Sequence, residues 1–267
     1  MAMKSVAIAL FVVAIAGVAH ADSNVHRAPG VMTRVDGATF ESVLPVAPGK
    51  TKATVKSFRL DITPVSNADF ALFLQSHPEW RRDRVAQLFA DDAYLAHWST
   101  VTASGEAIAR QPVTQVSWYA ARAYCKSRKA RLPTWYEWEW VAAASATTAD
   151  ARQDDAWRQQ MLDWYAKPSG KLANVGSTAA NLYGVRDLHG VVWEWVEDFN
   201  GMVVSGDSRS QSGSDTTQFC GSGALSMEQK DQYAILMRIA MLSSLQAKYT
   251  TASLGFRCAT DDVSTSK

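Results

Sequence analysis

The sequence predicts a single α+β domain in which short strands and helices are joined by long loops. Three observations lead to this prediction. Alternating apolar residues occur only in short runs, apolar residues in several longer segments recur at helical spacing, and residues 170–223 are rich in Gly, Ser, Asn and Asp. No internal repeat is visible, and 267 residues fit one large domain or two small ones. We therefore expect one domain with low regular secondary structure.

Two short segments near the N-terminus have the alternation that is typical of strands. Residues 39–44 alternate in polarity, and residues 55–61 do the same before Thr63 and Pro64 end the run. We expect one strand in each segment.

Capping residues mark the starts of the predicted helices. Thr134 and Glu137 form a capping box, in which each side chain accepts a hydrogen bond from the backbone N–H of the other residue. Ser66 is the predicted N-cap of the first helix, and His77 with Pro78 is predicted to end that helix. Further helices are predicted to start at Ser117 and to run over residues 154–166 and 226–242.

The first 21 residues are typical of a cleavable signal peptide. Lys4 supplies a positive charge, residues 5–18 are an uncharged and mostly apolar run, and Ala19-His20-Ala21 is a small-x-small cleavage site. An apolar run of about 14 residues is too short to cross a bilayer as a helix. We expect removal of residues 1–21 on export, a periplasmic mature chain, and no membrane span after cleavage.

The charge balance argues against one large class of partner. The chain has 27 Lys and Arg against 26 Asp and Glu, and loss of Lys4 leaves a net charge close to zero. Nucleic-acid-binding proteins usually show a basic stripe, so we expect no nucleic-acid partner. The 10 Trp residues suit either a large aromatic core or a recognition surface, and their number alone does not decide.

Five segments, taken in order, resemble the formylglycine-generating enzyme family, also called the sulfatase-modifying factor family. They are residues 58–67, 112–125, 131–140, 183–195 and 254–258. The resemblance implies a C-type-lectin-related α+β fold. With the signal peptide (1–21) set aside, it also divides the chain into an N-terminal extension (22–36), the family domain (37–260) and a C-terminal tail (261–267).

Within this family the chain is similar to a periplasmic subgroup, the NirV-type proteins associated with nitrite reductase gene clusters. Residues 192–200, 219–225 and 237–245 carry that similarity. A similar subgroup serves siderophore maturation.

The resemblance implies that Cys125 and Cys258 form a disulfide. The chain has 3 Cys, and in an oxidising compartment this number favours one disulfide and one remaining thiol. The remaining residue is Cys220, which is either a reactive thiol or a buried and inert one.

The resemblance also implies a calcium site in the loop that ends at Trp195. Its ligands are the carboxylates of Asp187 and Glu194 and the carbonyl groups of Gly190 and Val192, and hard oxygen ligands of this kind suit calcium. The alternative is that the tryptophans of this loop are core residues and that Glu194 bonds only to protein groups.

The sequence has only some of the residues that the family uses for catalysis. A formylglycine-generating enzyme holds Cu(I) with two thiolates near its C-terminus, and the corresponding positions here fall near Leu225 and Ala234. Since Cys220 alone cannot form such a centre, copper is not expected there. An oxygen pocket is matched at Trp193 and Ser222, so the candidate catalytic residues are Cys220, Trp193 and Ser222.

Other metal-ligand patterns in the sequence are weaker. Met237 and Met241 lie one helical turn apart, which suits core packing or, together with Cys220, copper. His97 and His189 lack the spacing of a three-ligand site.

Two functions follow from these observations. The first is an accessory or maturation factor for a periplasmic client protein, such as a nitrogen-oxide reductase. The alternative is an oxygen-dependent oxidase that modifies a periplasmic protein or metabolite, either by converting a sulfatase cysteine to formylglycine or by siderophore-type tailoring.

Overall fold

The computed structural model describes residues 30–44, 46–47, 50–165, 170–200 and 233–262. The predicted signal peptide, Cys220 and Ser222 lie outside these residues. The helices are α1 (Asn67–Ser76), α2 (Trp118–Ser127), α3 (Trp135–Ala142), α4 (Asp155–Tyr165) and α5 (Tyr233–Ser243). The strands are β1 (Met32–Val35), β2 (Ala38–Glu41), β3 (Lys52–Val55), β4 (Phe58–Asp61), β5 (Trp193–Glu194), β6 (Leu254–Gly255) and β7 (Ala259–Asp261).

Three small sheets hold the strands together. β1, β4 and β7 form an antiparallel sheet in that order, β2 pairs antiparallel with β3, and β5 pairs parallel with β6. The predicted α+β class with few regular elements is confirmed. β1 lies within residues 22–36, the segment assigned to an extension, yet its Val35 is fully buried. The folded sheet therefore begins before residue 37.

The predicted strand over residues 55–61 is two strands. Val55 ends β3 and Phe58 begins β4, while on the partner side Val35 ends β1 and Ala38 begins β2. The pairing is therefore interrupted at the same place on both sides, at residues 36–37 on one side and 56–57 on the other. Gly37 permits this break, because a Cβ atom there would lie 2.4 Å from the carbonyl oxygen of Val55.

The predicted helix caps are confirmed. The Ser66 side chain accepts from the backbone N–H of Asp69, and the Asp69 carboxylate accepts from that of Ser66, which closes a capping box. Thr134 and Glu137 form the second capping box, and Ser117 caps α2. α1 ends at Ser76, as the following His77 and Pro78 predict.

Aromatic side chains fill the centre of the core. Phe70 is fully buried and contacts Trp98, Tyr124 and Phe256, with ring centroids 5.8–6.2 Å apart. This cluster joins α1 and α2 to the C-terminal segment that follows β6. Among the described residues, no helix has both the length and the apolar character needed to cross a membrane.

Candidate functional site

The segment from Asp187 to Trp195 runs through the interior of the domain. Its last part, β5, is held against β6 by hydrogen bonds from Trp193 N to Ser253 O (2.8 Å) and from Trp195 N to Gly255 O (3.0 Å). Gly255 is required at this point, because a Cβ atom would lie 2.6 Å from the carbonyl oxygen of Val113. The short parallel pair therefore brings the C-terminal segment against the side chain of Glu194.

Glu194 and Arg257 form an ion pair with no solvent exposure. Arg257 Nη2 donates to Glu194 Oε1 at 2.7 Å, and Arg257 Nε lies 3.0 Å and 2.9 Å from the two carboxylate oxygens. Trp138 Nε1 donates to Oε2 at 2.9 Å. The remaining guanidinium donors bind backbone carbonyl oxygens, those of Asp61 (3.1 Å) and Arg186 (2.9 Å). A charge buried this deeply needs such complete hydrogen bonding, because the pair has lost its hydration.

A second arginine, Arg238 of α5, contacts the same place. Its Nη2 donates to the backbone oxygen of Glu194 at 2.5 Å, and its guanidinium carbon lies 3.6 Å from the centre of the Trp138 ring. Stacking of a desolvated guanidinium on tryptophan is a favourable cation–π contact. α5 is thus joined to α3 and β5 through one buried side chain.

Asp187, the other predicted carboxylate ligand, accepts hydrogen bonds from a different set of protein donors. It accepts from Gly176 N, from Thr178 N at 3.0 Å and from Thr178 Oγ1 at 2.9 Å. The side chain is almost fully buried, and its backbone lies in the left-handed region with a φ of 62°. Asp tolerates this conformation better than most residues. Gly190 also has a positive φ, of 113°, and a Cβ atom there would lie 2.6 Å from Trp164 Nε1.

The arrangement of these residues does not fit calcium as it stands. The predicted ligands Asp187, Gly190, Val192 and Glu194 offer oxygen atoms, which is the right ligand type. Both carboxylates, however, are already taken up by protein donors. Nor does any group of three or more His, Cys, Asp or Glu side chains converge within the described ranges. We derive no role for calcium, and the calcium site stays a prediction of the sequence.

His189 lies beside this cluster as a neutral imidazole. Its Nε2 is 2.8 Å from the carbonyl oxygen of Ala142, and since a carbonyl only accepts, Nε2 carries the proton. Nδ1 is buried and finds no hydrogen-bond partner within the described part of the chain. The rings of Trp138 and Trp157 meet the imidazole at 5.9 Å and 5.8 Å. Burial, with the nearby charges of two arginines, lowers the pKa of His189 to about 4.

This lowered pKa predicts a loss of stability in mild acid. The unfolded chain protonates His189 near pH 6.5 and the folded chain only near pH 4, so the unfolded state binds more protons between these values. Neutral His189 should therefore make its full contribution to the free energy of unfolding above pH 6.5. The protein should lose up to about 3 kcal/mol of that free energy as the pH falls to 4. Urea unfolding at a series of pH values measures this slope. His189→Gln should flatten it in that window, and an unchanged slope in the variant would refute the assignment.

The structure describes only one of the three predicted catalytic residues. Trp193 is half-buried in β5, whereas Cys220 and Ser222 lie outside the described residues. The predicted disulfide is confirmed, because Cys125 and Cys258 are bonded with their Cα atoms 5.5 Å apart. Met237 is 40% exposed on α5, so it is not a core residue.

Sequence reasoning missed a further buried carboxylate, that of Glu139 in α3. Ser42 Oγ donates to Glu139 Oε2 at 2.5 Å, Val43 N donates to Oε1 at 2.8 Å, and Trp135 Nε1 donates to Oε2 at 2.9 Å. Burial raises the pKa of Glu139, and these hydrogen bonds oppose that rise. Only its position in the run of aromatic residues at 135–140 hinted that it is buried.

Comparison with known proteins gives one family. A family model described as "Sulfatase-modifying factor enzyme 1-like domain" matches residues 18–262. The chain is 30% identical over 182 residues to the inactive C-alpha-formylglycine-generating enzyme 2 of Bos taurus, covering 54% of this chain and 60% of that one. It is 32% identical over 168 residues to the hercynine oxygenase of Mycolicibacterium smegmatis, covering 53% and 37%.

One further relative is matched over most of its length. The chain is 26% identical over 250 residues to the formylglycine-generating enzyme of Streptomyces coelicolor, covering 78% of this chain and 79% of that one. By contrast, it spans 60% or less of the Bos taurus and Mycolicibacterium smegmatis relatives. Among solved structures, PvdO from Pseudomonas aeruginosa is similar at a TM-score of 0.48 and 17% identity, covering 87% of this chain and 98% of that one.

Proposed function

The chain belongs to the formylglycine-generating enzyme (sulfatase-modifying factor) family, and from this membership we propose that it is an exported accessory factor without the copper chemistry of the family. One observation carries the proposal. The sequence has 3 Cys, and the disulfide uses Cys125 and Cys258. Only Cys220 is left, and one thiolate cannot make the two-thiolate site that Cu(I) prefers.

The remaining features support a binding role. Buried charges of the described interior are paired within the protein, such as Glu194 with Arg257. The relative from Bos taurus is itself named an inactive enzyme. The signal-like N-terminus supports a partner in the periplasm, and the similarity to the nitrite-reductase-associated subgroup makes a nitrogen-oxide reductase the first client to examine.

An oxygen-consumption assay tests the loss of chemistry. The purified protein would be loaded with Cu(I) and given a sulfatase-type peptide that contains one cysteine, and peptide masses would be followed with oxygen uptake. We expect no conversion of the cysteine above the protein-free reaction, because the metal lacks its second thiolate. The Streptomyces coelicolor relative serves as the positive control. Turnover that disappears in Cys220→Ser would refute the proposal.

The alternative function is an oxygen-dependent oxidase that acts on a periplasmic protein or metabolite. The similarity to a relative named hercynine oxygenase favours it. In this case a centre other than a thiolate pair would activate oxygen, and Trp193 would line the oxygen pocket. Oxygen uptake with a metabolite substrate but not with the cysteine peptide would support this alternative.

A further inference from the structure

The Asp187 carboxylate lies in a cradle of hydrogen-bond donors. The backbone N–H groups of Gly176 and Thr178 both donate to it, the second at 3.0 Å, and the Thr178 hydroxyl donates at 2.9 Å. The same hydroxyl accepts from the backbone N–H of Asp187 at 2.6 Å. Gly176 has a φ of 81°, a left-handed conformation that favours glycine. Because converging backbone N–H groups bind anions, this cradle stabilises the carboxylate and disfavours a cation beside it.

The acceptor sites of the Glu194 carboxylate are filled in a different way. A carboxylate offers about four such sites. Arg257 makes three contacts with the two oxygens at 2.7–3.0 Å, and Trp138 Nε1 makes the fourth at 2.9 Å. A calcium ion binds oxygen at about 2.3–2.6 Å, so it would have to displace one of these donors. If the guanidinium stayed, two cations would share one carboxylate without solvent, and their repulsion would be strong.

Arg257 also makes the link that a bridging cation would make. Its Nη2 donates to Glu194 Oε1 at 2.7 Å and to the carbonyl oxygen of Arg186, the residue before Asp187, at 2.9 Å. One guanidinium group thus joins the start of the loop to its end. Its positive charge balances that of Glu194, and neither side chain is exposed. Since the next residue, Cys258, is cross-linked to α2, the disulfide helps to fix the position of this cation.

We infer that Arg257 takes the place of calcium in the loop from Asp187 to Glu194, and that the protein keeps its stability without this metal. The predicted ligands that remain are the carbonyl groups of Gly190 and Val192. Two carbonyl oxygens are too few for an ion that takes about six to eight oxygen ligands. The inference is independent of the proposed function, because a calcium ion in this loop would not supply the missing second thiolate for copper. The stability of the chain should then not depend on the calcium concentration of its compartment.

Calcium binding and thermal unfolding of the purified protein test this inference. The protein would be dialysed against EGTA, and its melting temperature would be measured with and without millimolar calcium chloride, a concentration that fills even weak extracellular-type sites. Equilibrium dialysis with radioactive calcium would count the bound ions. We expect calcium to shift the melting temperature by less than about 1 °C, whereas an ion held at a hundred times its dissociation constant would raise it by several degrees. Such a rise, or one equivalent of calcium bound in this loop, would overturn the inference.

Variants separate calcium bound in this loop from calcium bound elsewhere. Asp187→Asn and Glu194→Gln each remove one predicted carboxylate ligand. Asp83→Asn is the matched control, because that carboxylate is partly exposed and pairs with Arg81 far along the chain from the loop. Calcium that the wild type and Asp83→Asn bind, and that Asp187→Asn or Glu194→Gln loses, would place the ion in the loop and refute the inference. Calcium that all folded variants keep lies elsewhere, and the inference stands. If Glu194→Gln does not fold, Asp187→Asn alone decides between these outcomes.

Discussion

Replacing Arg257 with alanine is expected to lower the free energy of unfolding by about 3–5 kcal/mol, which is usual when one partner of a buried pair is removed. Glu194 would keep its charge in a site with no solvent exposure, with Trp138 as its remaining side-chain donor. The same change would remove donors from the backbone oxygens of Asp61 and Arg186. Guanidinium chloride unfolding at pH 7, followed by tryptophan fluorescence, measures the difference.

The control is an arginine that pairs at the surface. The Arg59 side chain is 52% exposed and lies 4.0 Å from Asp262, so Arg59→Ala should cost less than about 1 kcal/mol. The double variant Arg257→Met with Glu194→Gln should regain part of the loss, because it buries no lone charge. If Arg257→Ala costs no more than Arg59→Ala, the buried ion pair does not contribute the stability assigned to it here. If Arg257→Ala is destabilised and added calcium restores its stability, that result would support the calcium ligand predicted at Glu194.

The helix boundaries were predictable because the interactions that set them are local. Each capping box lies within one short stretch of sequence, because its two residues are only three positions apart. These are Ser66 with Asp69 and Thr134 with Glu137. The β3–β4 break was not predictable in the same way. It depends on Gly37 meeting Val55 across the strand pair, and alternation alone continues through residues 56 and 57.

The polar interior is the part that sequence reasoning could not supply. Glu194 and Arg257 are 63 residues apart, and Ser42 and Glu139 are 97 apart, so no local pattern pairs them. The motifs that carry the family resemblance contain Glu194 and Arg257, but a motif does not state which residue touches which. The disulfide was predicted because the resemblance supplied its pairing. The contact between the rings of Phe89 and Tyr119 escaped prediction for the same reason as the ion pair, since the two residues come from separate segments.

Removing the disulfide is expected to have the largest effect on stability. In the chain-entropy model, a cross-link that closes a loop of 133 residues contributes about 5 kcal/mol by restricting the unfolded chain. Cys125 lies in α2, and Cys258 lies between β6 and β7, so the bond joins the helical part to the last strand of the sheet. Cys125→Ala with Cys258→Ala should therefore lower the free energy of unfolding by about 5 kcal/mol, measured in denaturant without reductant.

Cys220→Ala is the matched control, because it removes a cysteine without opening the cross-link. Thiol titration of the unfolded, unreduced protein should find one thiol in the wild type and none in Cys220→Ala. Because Cys258 is next to Arg257, the disulfide and ion-pair losses should not add, and a triple variant should cost measurably less than their sum or fail to fold. If the double cysteine variant is as stable as the wild type, the cross-link does not restrict the unfolded chain. The packing of Phe256 and the Glu194 ion pair would then hold the C-terminal segment in place without it.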